Sequence, residues 1–137
     1  MLSYGSDQYG QNTDIAPMPS TLPYDLPFSC LDQISASEVF GSMIMVRTIT
    51  LPALLIGSLA TCDTPPTTSN SQLNVKVNGT VVGSVLFTPV SNSGVFTFTN
   101  AITLNAGDKL EIVTDATVFD ISIANISMTL VGSFQFI

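Results

Sequence analysis

Leu73-Asn-Val-Lys-Val-Asn-Gly-Thr-Val-Val-Gly-Ser-Val-Leu-Phe-Thr88 decides the fold class. Leu73, Val75 and Val77 alternate with Asn74 and Lys76, so one face is apolar and the other is wet. A period of two residues marks a half-buried strand. Asn78-Gly79 follows, a pair that tolerates the positive φ angles of a type I′ turn. Val81, Gly83, Val85 and Phe87 then alternate with Val82, Ser84, Leu86 and Thr88. The stretch is a β-hairpin, with Val81 to Phe87 on the inward row.

Outward from this hairpin the chain repeats the same grammar. Val95–Thr99, Ile102–Leu104, Lys109–Thr114 and Ser133–Ile137 read as short strands. Ser42–Leu51 reads as a Met-rich strand that Pro52 interrupts, and Ala53–Ala60 as a strand apolar on both faces. Residues 61–71, 89–94, 105–108 and 115–117 carry the Gly, Pro, Asn, Asp and Ser signals of loops. Residues 118–131 read either as two strands or as a loop and one long strand, with Gly132 breaking the pattern. Ser29–Gly41 is open between a short helix, a loop and an irregular strand. Seven to nine short strands with regular turn signals make an all-β, antiparallel β-sandwich, with a jelly roll as first choice.

Residues 1–28 differ. They are polar and Gly-rich at first, then carry Pro17, Pro19, Pro23 and Pro27. Each proline fixes φ and pushes its predecessor toward extended geometry. The expectation is an extended, Pro-rich N-terminal arm over residues 1–28, followed by a sandwich domain over 29–137. Ile15, Met18, Leu22, Tyr24, Leu26 and Phe28 punctuate the arm and are the candidate pegs for docking on a partner. The alternative is a solvated leader.

Composition narrows the function. The chain has 137 residues, 45% hydrophobic and 9% charged, enough for one core but with few charges to wet its surface. Such a surface fits a protein covered in part by copies of itself or by a larger assembly. The net charge is −7, with Arg47, Lys76 and Lys109 the only cations. Phosphate backbones and anionic membranes are recognised by clusters of Lys and Arg, so neither nucleic acid nor membrane is an expected partner. No basic and apolar leader of the secretory kind opens the chain.

Chemistry finds little to work with. The chain has no histidine, the usual general base and commonest metal ligand. A Ser or Thr nucleophile needs a base within reach, which leaves only Lys76 and Lys109. Asp108, Glu111, Asp115 and Asp120 match no calcium loop and read as solvated turn residues. Cys30 and Cys62 are no CxxC pair and read as buried free thiols, although spacing cannot exclude a disulfide. Phe96 and Phe98 share a strand face and read as core. No catalytic residue, cofactor or metal site is expected.

Asn78-Gly-Thr-Val-Val-Gly-Ser-Val-Leu-Phe-Thr88, Gly94-Val-Phe-Thr-Phe98, Leu104-Asn-Ala-Gly-Asp-Lys-Leu110 and Ile121-Ser-Ile-Ala-Asn-Ile-Ser-Met-Thr-Leu-Val-Gly132 together resemble the β-sandwich domains of small virion proteins of tailed bacteriophages. The resemblance spans residues 49–132, rests on turns and alternation, and brings no catalytic residues. It implies a capsid decoration (cement) protein on the outside of the shell. The implied partners are the major capsid protein and further copies of the chain, as a homotrimer. The implied location is the virion, assembled in the bacterial host cytoplasm. A fibre or tail module that binds a receptor or glycan, and a head–tail adaptor, are the competing expectations.

Overall fold

The computed structural model describes residues 20–135, so Ile15 and Met18 lie outside the described residues. Ten strands follow in order: β1 (Thr21–Gln33), β2 (Val39–Ile44), β3 (Ile49–Leu51), β4 (Leu59–Thr64), β5 (Ser71–Val77), β6 (Thr80–Phe87), β7 (Val95–Thr97), β8 (Ile102–Leu104), β9 (Lys109–Thr114) and β10 (Ala124–Gln135). Among the described residues there is no α-helix, only a 3-10 turn at Ala53–Leu55. The short-helix option for Ser29–Gly41 therefore falls. Its first half continues β1, because a long partner strand is available to satisfy its backbone.

The strands form two antiparallel sheets of a β-sandwich. One has the order β2-β9-β5-β6-β7. The other has the order β1-β10-β3-β8, with β4 also paired to β10. Pairing is nested: β1 with β10, β2 with β9, β3 with β8, and β5 with β6 innermost. Leu73, Val75, Val85, Phe87, Leu110 and Ile112 from the first sheet face Leu26, Ile49, Leu51, Leu104, Ile126 and Leu130 from the second, all essentially without solvent contact. Burying one such side chain contributes about 1.5–3 kcal/mol.

The central hairpin is β5 and β6, and its turn has the positive φ values expected, 51° at Asn78 and 86° at Gly79. One detail differs. A bulge pairs Val75 with Gly83 but Lys76 with Val81, so Val82 packs toward the core and Val81 is left 52% exposed. Gly83 is required for another reason. The Phe98 ring lies on its backbone where a Cβ would be.

The expected arm is corrected at its C-terminal end. Residues 21–28 are the first half of β1, which pairs with β10 along nearly its whole length. Leu26 and Phe28 are buried in the chain's own core, so neither is free to peg a partner. The boundary expected between residues 28 and 29 falls inside a strand. Pro23 and Pro27 are accommodated because, among the described residues, β1 is an edge strand, where a missing N–H need not break a ladder. Prolines also blunt that edge against further pairing.

Residues 53–60 are corrected as well. Between Thr50↔Ser133 and Leu59↔Thr129, eight residues of this edge face three of β10. The excess loops out as a knuckle. Leu54, Leu55 and Gly57 take positive φ (62°, 46° and 92°), and Leu55 plugs back into the core. The Leu54 N–H donates to the Phe98 carbonyl at 2.7 Å, and the Val131 N–H donates to Ser58 Oγ at 2.8 Å. Gly132 does not break β10. The strand runs through it because a Cβ there would meet Ile49 Cγ2 at 2.7 Å and the Thr50 carbonyl at 3.0 Å.

Candidate functional site

Side chains alternate across a strand, so the odd-numbered residues of β1 and β10 share the outer face of the second sheet. Register lines them up in rows with β4: Ser29–Ser127–Thr61 and Pro27–Thr129–Leu59. These six residues, with Phe28 and Met128 beneath, line a shallow groove of about 510 Å³. Its walls are hydroxyls, a proline ring and a leucine. Leu59 is 74% exposed. The lining contains no ionisable group.

The knuckle runs directly into β4, whose first residue, Leu59, lines this groove. Gly57 lies against Val131, the next outward residue of β10, and Leu54 and Ile56 stand 62% and 69% exposed. Two consecutive leucines at positive φ are a strained arrangement, held by the buried Leu55 plug and by the bonds to Phe98 and Val131. The molecule thus offers a neutral groove and, on the knuckle before β4, two exposed aliphatic side chains.

Of the six expected pegs, the structure brings four onto β1 and leaves Ile15 and Met18 undescribed. Leu26 and Phe28 are core. Leu22 remains partly exposed, and Tyr24 is half-buried under Arg47, whose guanidinium lies 5.9 Å from its ring centre and 5.3 Å from that of Phe134. Arg47 is thereby tied to aromatic faces, and Lys109 is paired with Glu111 at 3.3 Å. The groove residues were not expected from sequence. Ser, Thr and Pro carry no signal of their own, and the three strands that bring them together are far apart in the chain.

Both thiols are free. Cys30 and Cys62 sit opposite the same residue, Ile126, on its two flanks. Two strand spacings separate them, about 10 Å, beyond the reach of a disulfide. Burial first, then nearby carboxylates, pushes both thiols upward from the ordinary value: Glu38 and Asp32 at Cys30, Asp63 at Cys62. They are correspondingly poor nucleophiles.

The carboxylates are structural as placed. Asp120 Oδ2 accepts from the N–H groups of Thr68 and Ser69, and Oδ1 from the N–H and hydroxyl of Ser122. These bonds, the Ser122 hydroxyl foremost, hold its carboxyl far below the usual range. Asp115 accepts from Asn74 Nδ2 and from the N–H groups of Val118 and Thr117, which lowers it to about 2. Asp108 is lowered by Asn78 Nδ2 and by the Asn105 N–H. Among the described residues no three His, Cys, Asp or Glu side chains gather as a metal site. Comparison of the chain with family models, with curated proteins and with solved structures finds no match.

Proposed function

We propose that the chain is a structural protein of a tailed-phage virion, a decoration (cement) protein that docks on the outside of the major capsid shell and stabilises it. The observation that carries this reading is the outer face of β1, β10 and β4, a neutral groove of about 510 Å³, together with the exposed side chains of Leu54 and Ile56 on the knuckle that precedes β4. Support also comes from the turn pattern shared with small virion proteins, and from the nested strand pairing, which is that of a jelly roll. The role is mechanical. Apolar and hydroxyl contacts of modest strength, repeated over a shell, give large avidity. No catalysis is assigned. The test is co-sedimentation of the protein with expanded shells that lack it. Saturation at hundreds of copies per shell supports the reading, and a handful at one vertex, or none, overturns it.

A second reading is a fibre or tail module that binds a host glycan. It is favoured by the loop end of the sandwich, where the Asp120 bonds tie residues 67–69 to 122 and Val90 stands exposed at a positive φ of 59°. A β-branched residue rarely adopts that conformation without cause. Saturable binding of the isolated protein to host cells distinguishes this reading.

A further inference from the structure

The groove and the N-terminal segment fit each other in three respects. The first is reach. The segment of residues 1–19 ends beside Thr21, at the start of β1. Pro27, at the groove, lies six residues further along the same strand, about 20 Å away at the rise of a β-strand. Nineteen residues span up to about 63–68 Å when extended. The segment therefore reaches the groove of its own chain with length to spare, and the groove of an adjoining copy as well.

The second respect is the lane between them. From Thr21 to Pro27 the outward residues of the paired strands are Pro23 and Asp25 on β1, and Gln135, Ser133 and Val131 on β10. Only Asp25 is charged, so an extended segment crosses this lane with little desolvation of charge. The third is chemistry. The groove has hydroxyl walls and one exposed aliphatic side chain, Leu59, and no ionisable group. Residues 1–19 are mainly Ser, Thr, Asn, Gln, Gly, Tyr and Pro, with Asp7 and Asp14 their only charges. Counting back from Thr21 at the rise of a strand, Ile15 is the large aliphatic residue that comes level with Leu59.

We propose that residues 1–19 occupy the groove, with Ile15 against Leu59 and the segment's polar groups facing Ser29, Thr61, Ser127 and Thr129. Burying the two aliphatic side chains supplies the affinity, and the prolines at 17 and 19 lower the entropy lost on docking. Taken from a neighbouring copy, the segment links subunits without any new surface. The inference goes beyond the shell reading: a segment seated in the groove leaves the exposed side chains of Leu54 and Ile56 for the shell.

The experiment is hydroxyl-radical footprinting of the full chain, read by mass spectrometry at Leu59, for wild type and for the full-length Ile15→Asp/Met18→Asp variant. Both substitutions lie outside the described residues, and thermal melts check that the variant folds as wild type does. A chain lacking residues 1–19 serves as the second variant. The expected result is weak oxidation of Leu59 in wild type and a several-fold rise in both variants, with Val90, at the far loop end, unchanged. Protection that fades on dilution identifies a neighbour's segment, and protection that does not identifies the chain's own. Equal oxidation of Leu59 in all three chains overturns the proposal. So does protection that persists in the variants, which makes another surface the occupant.

Discussion

Ser71 Oγ accepts a hydrogen bond from the Asp120 N–H at 2.9 Å and donates one to the Asp120 carbonyl at 3.0 Å. One fully buried hydroxyl thus satisfies both backbone groups of a residue 49 positions away. Replacement by alanine strands the Asp120 N–H, while the carbonyl still accepts from the Ile123 N–H, and costs about 1–3 kcal/mol. Urea unfolding of Ser71→Ala should show that loss as a lower midpoint at an unchanged m-value.

Acid should loosen both ends of the sandwich, Asp115 and Asp120 at the Ser71 end and Asp108 at the β5–β6 turn. Asp115 is lowered from 3.8 to about 2 in the folded chain, and Asp120 and Asp108 are lowered too. A depressed carboxylate stabilises the fold above its unfolded value, and that contribution is lost as pH falls toward the folded value. The melting temperature should therefore change little down to about pH 4 and fall between about pH 4 and pH 2. Asp115→Asn should flatten this fall, as thermal melts across the range will show.

Truncation separates segment from strand. A chain lacking residues 1–19 should still unfold cooperatively, because every described strand remains. A chain lacking residues 1–28 loses Leu26, Phe28 and half of the β1–β10 ladder. Loss of each large core side chain alone costs about 2–5 kcal/mol, so the shorter chain should not fold. Circular dichroism and the presence or absence of a thermal transition decide.

These outcomes follow from a part of the chain whose pattern has two meanings. Leu22, Tyr24, Leu26 and Phe28 have a period of two, which fits pegs on an arm and equally the inward row of a strand. The prolines between them obscure the strand, since they occupy outward positions on an edge. The β5–β6 hairpin was legible because alternation and Asn78-Gly79 agree locally. Residues 53–60 were not, because a continuous apolar run has no period, and only Gly57 advertises the positive φ values. The groove was invisible for a further reason: its rows exist only once β1, β10 and β4 are in register.

The contact of Phe98 with Gly83 is also testable. Gly83→Ala forces the ring off the strand, an overpacking that costs about 1–3 kcal/mol. Phe98→Leu makes room, so the double variant Gly83→Ala/Phe98→Leu should lose less stability than the two single changes added together. A double-mutant cycle from denaturant unfolding measures the coupling.

The claim at the centre is that the exposed Leu54 and Ile56 of the knuckle make the assembly contact. The most direct measurement compares wild type with Leu54→Asn/Ile56→Asp in co-sedimentation with shells that lack the protein. Both side chains are exposed, and Asn tolerates the positive φ of residue 54, so the variant should melt as wild type does. The account predicts saturation of the shell by wild type and a loss of at least about tenfold in affinity for the variant, about 1.4 kcal/mol. Equal binding by the two chains, or none by wild type, would contradict it.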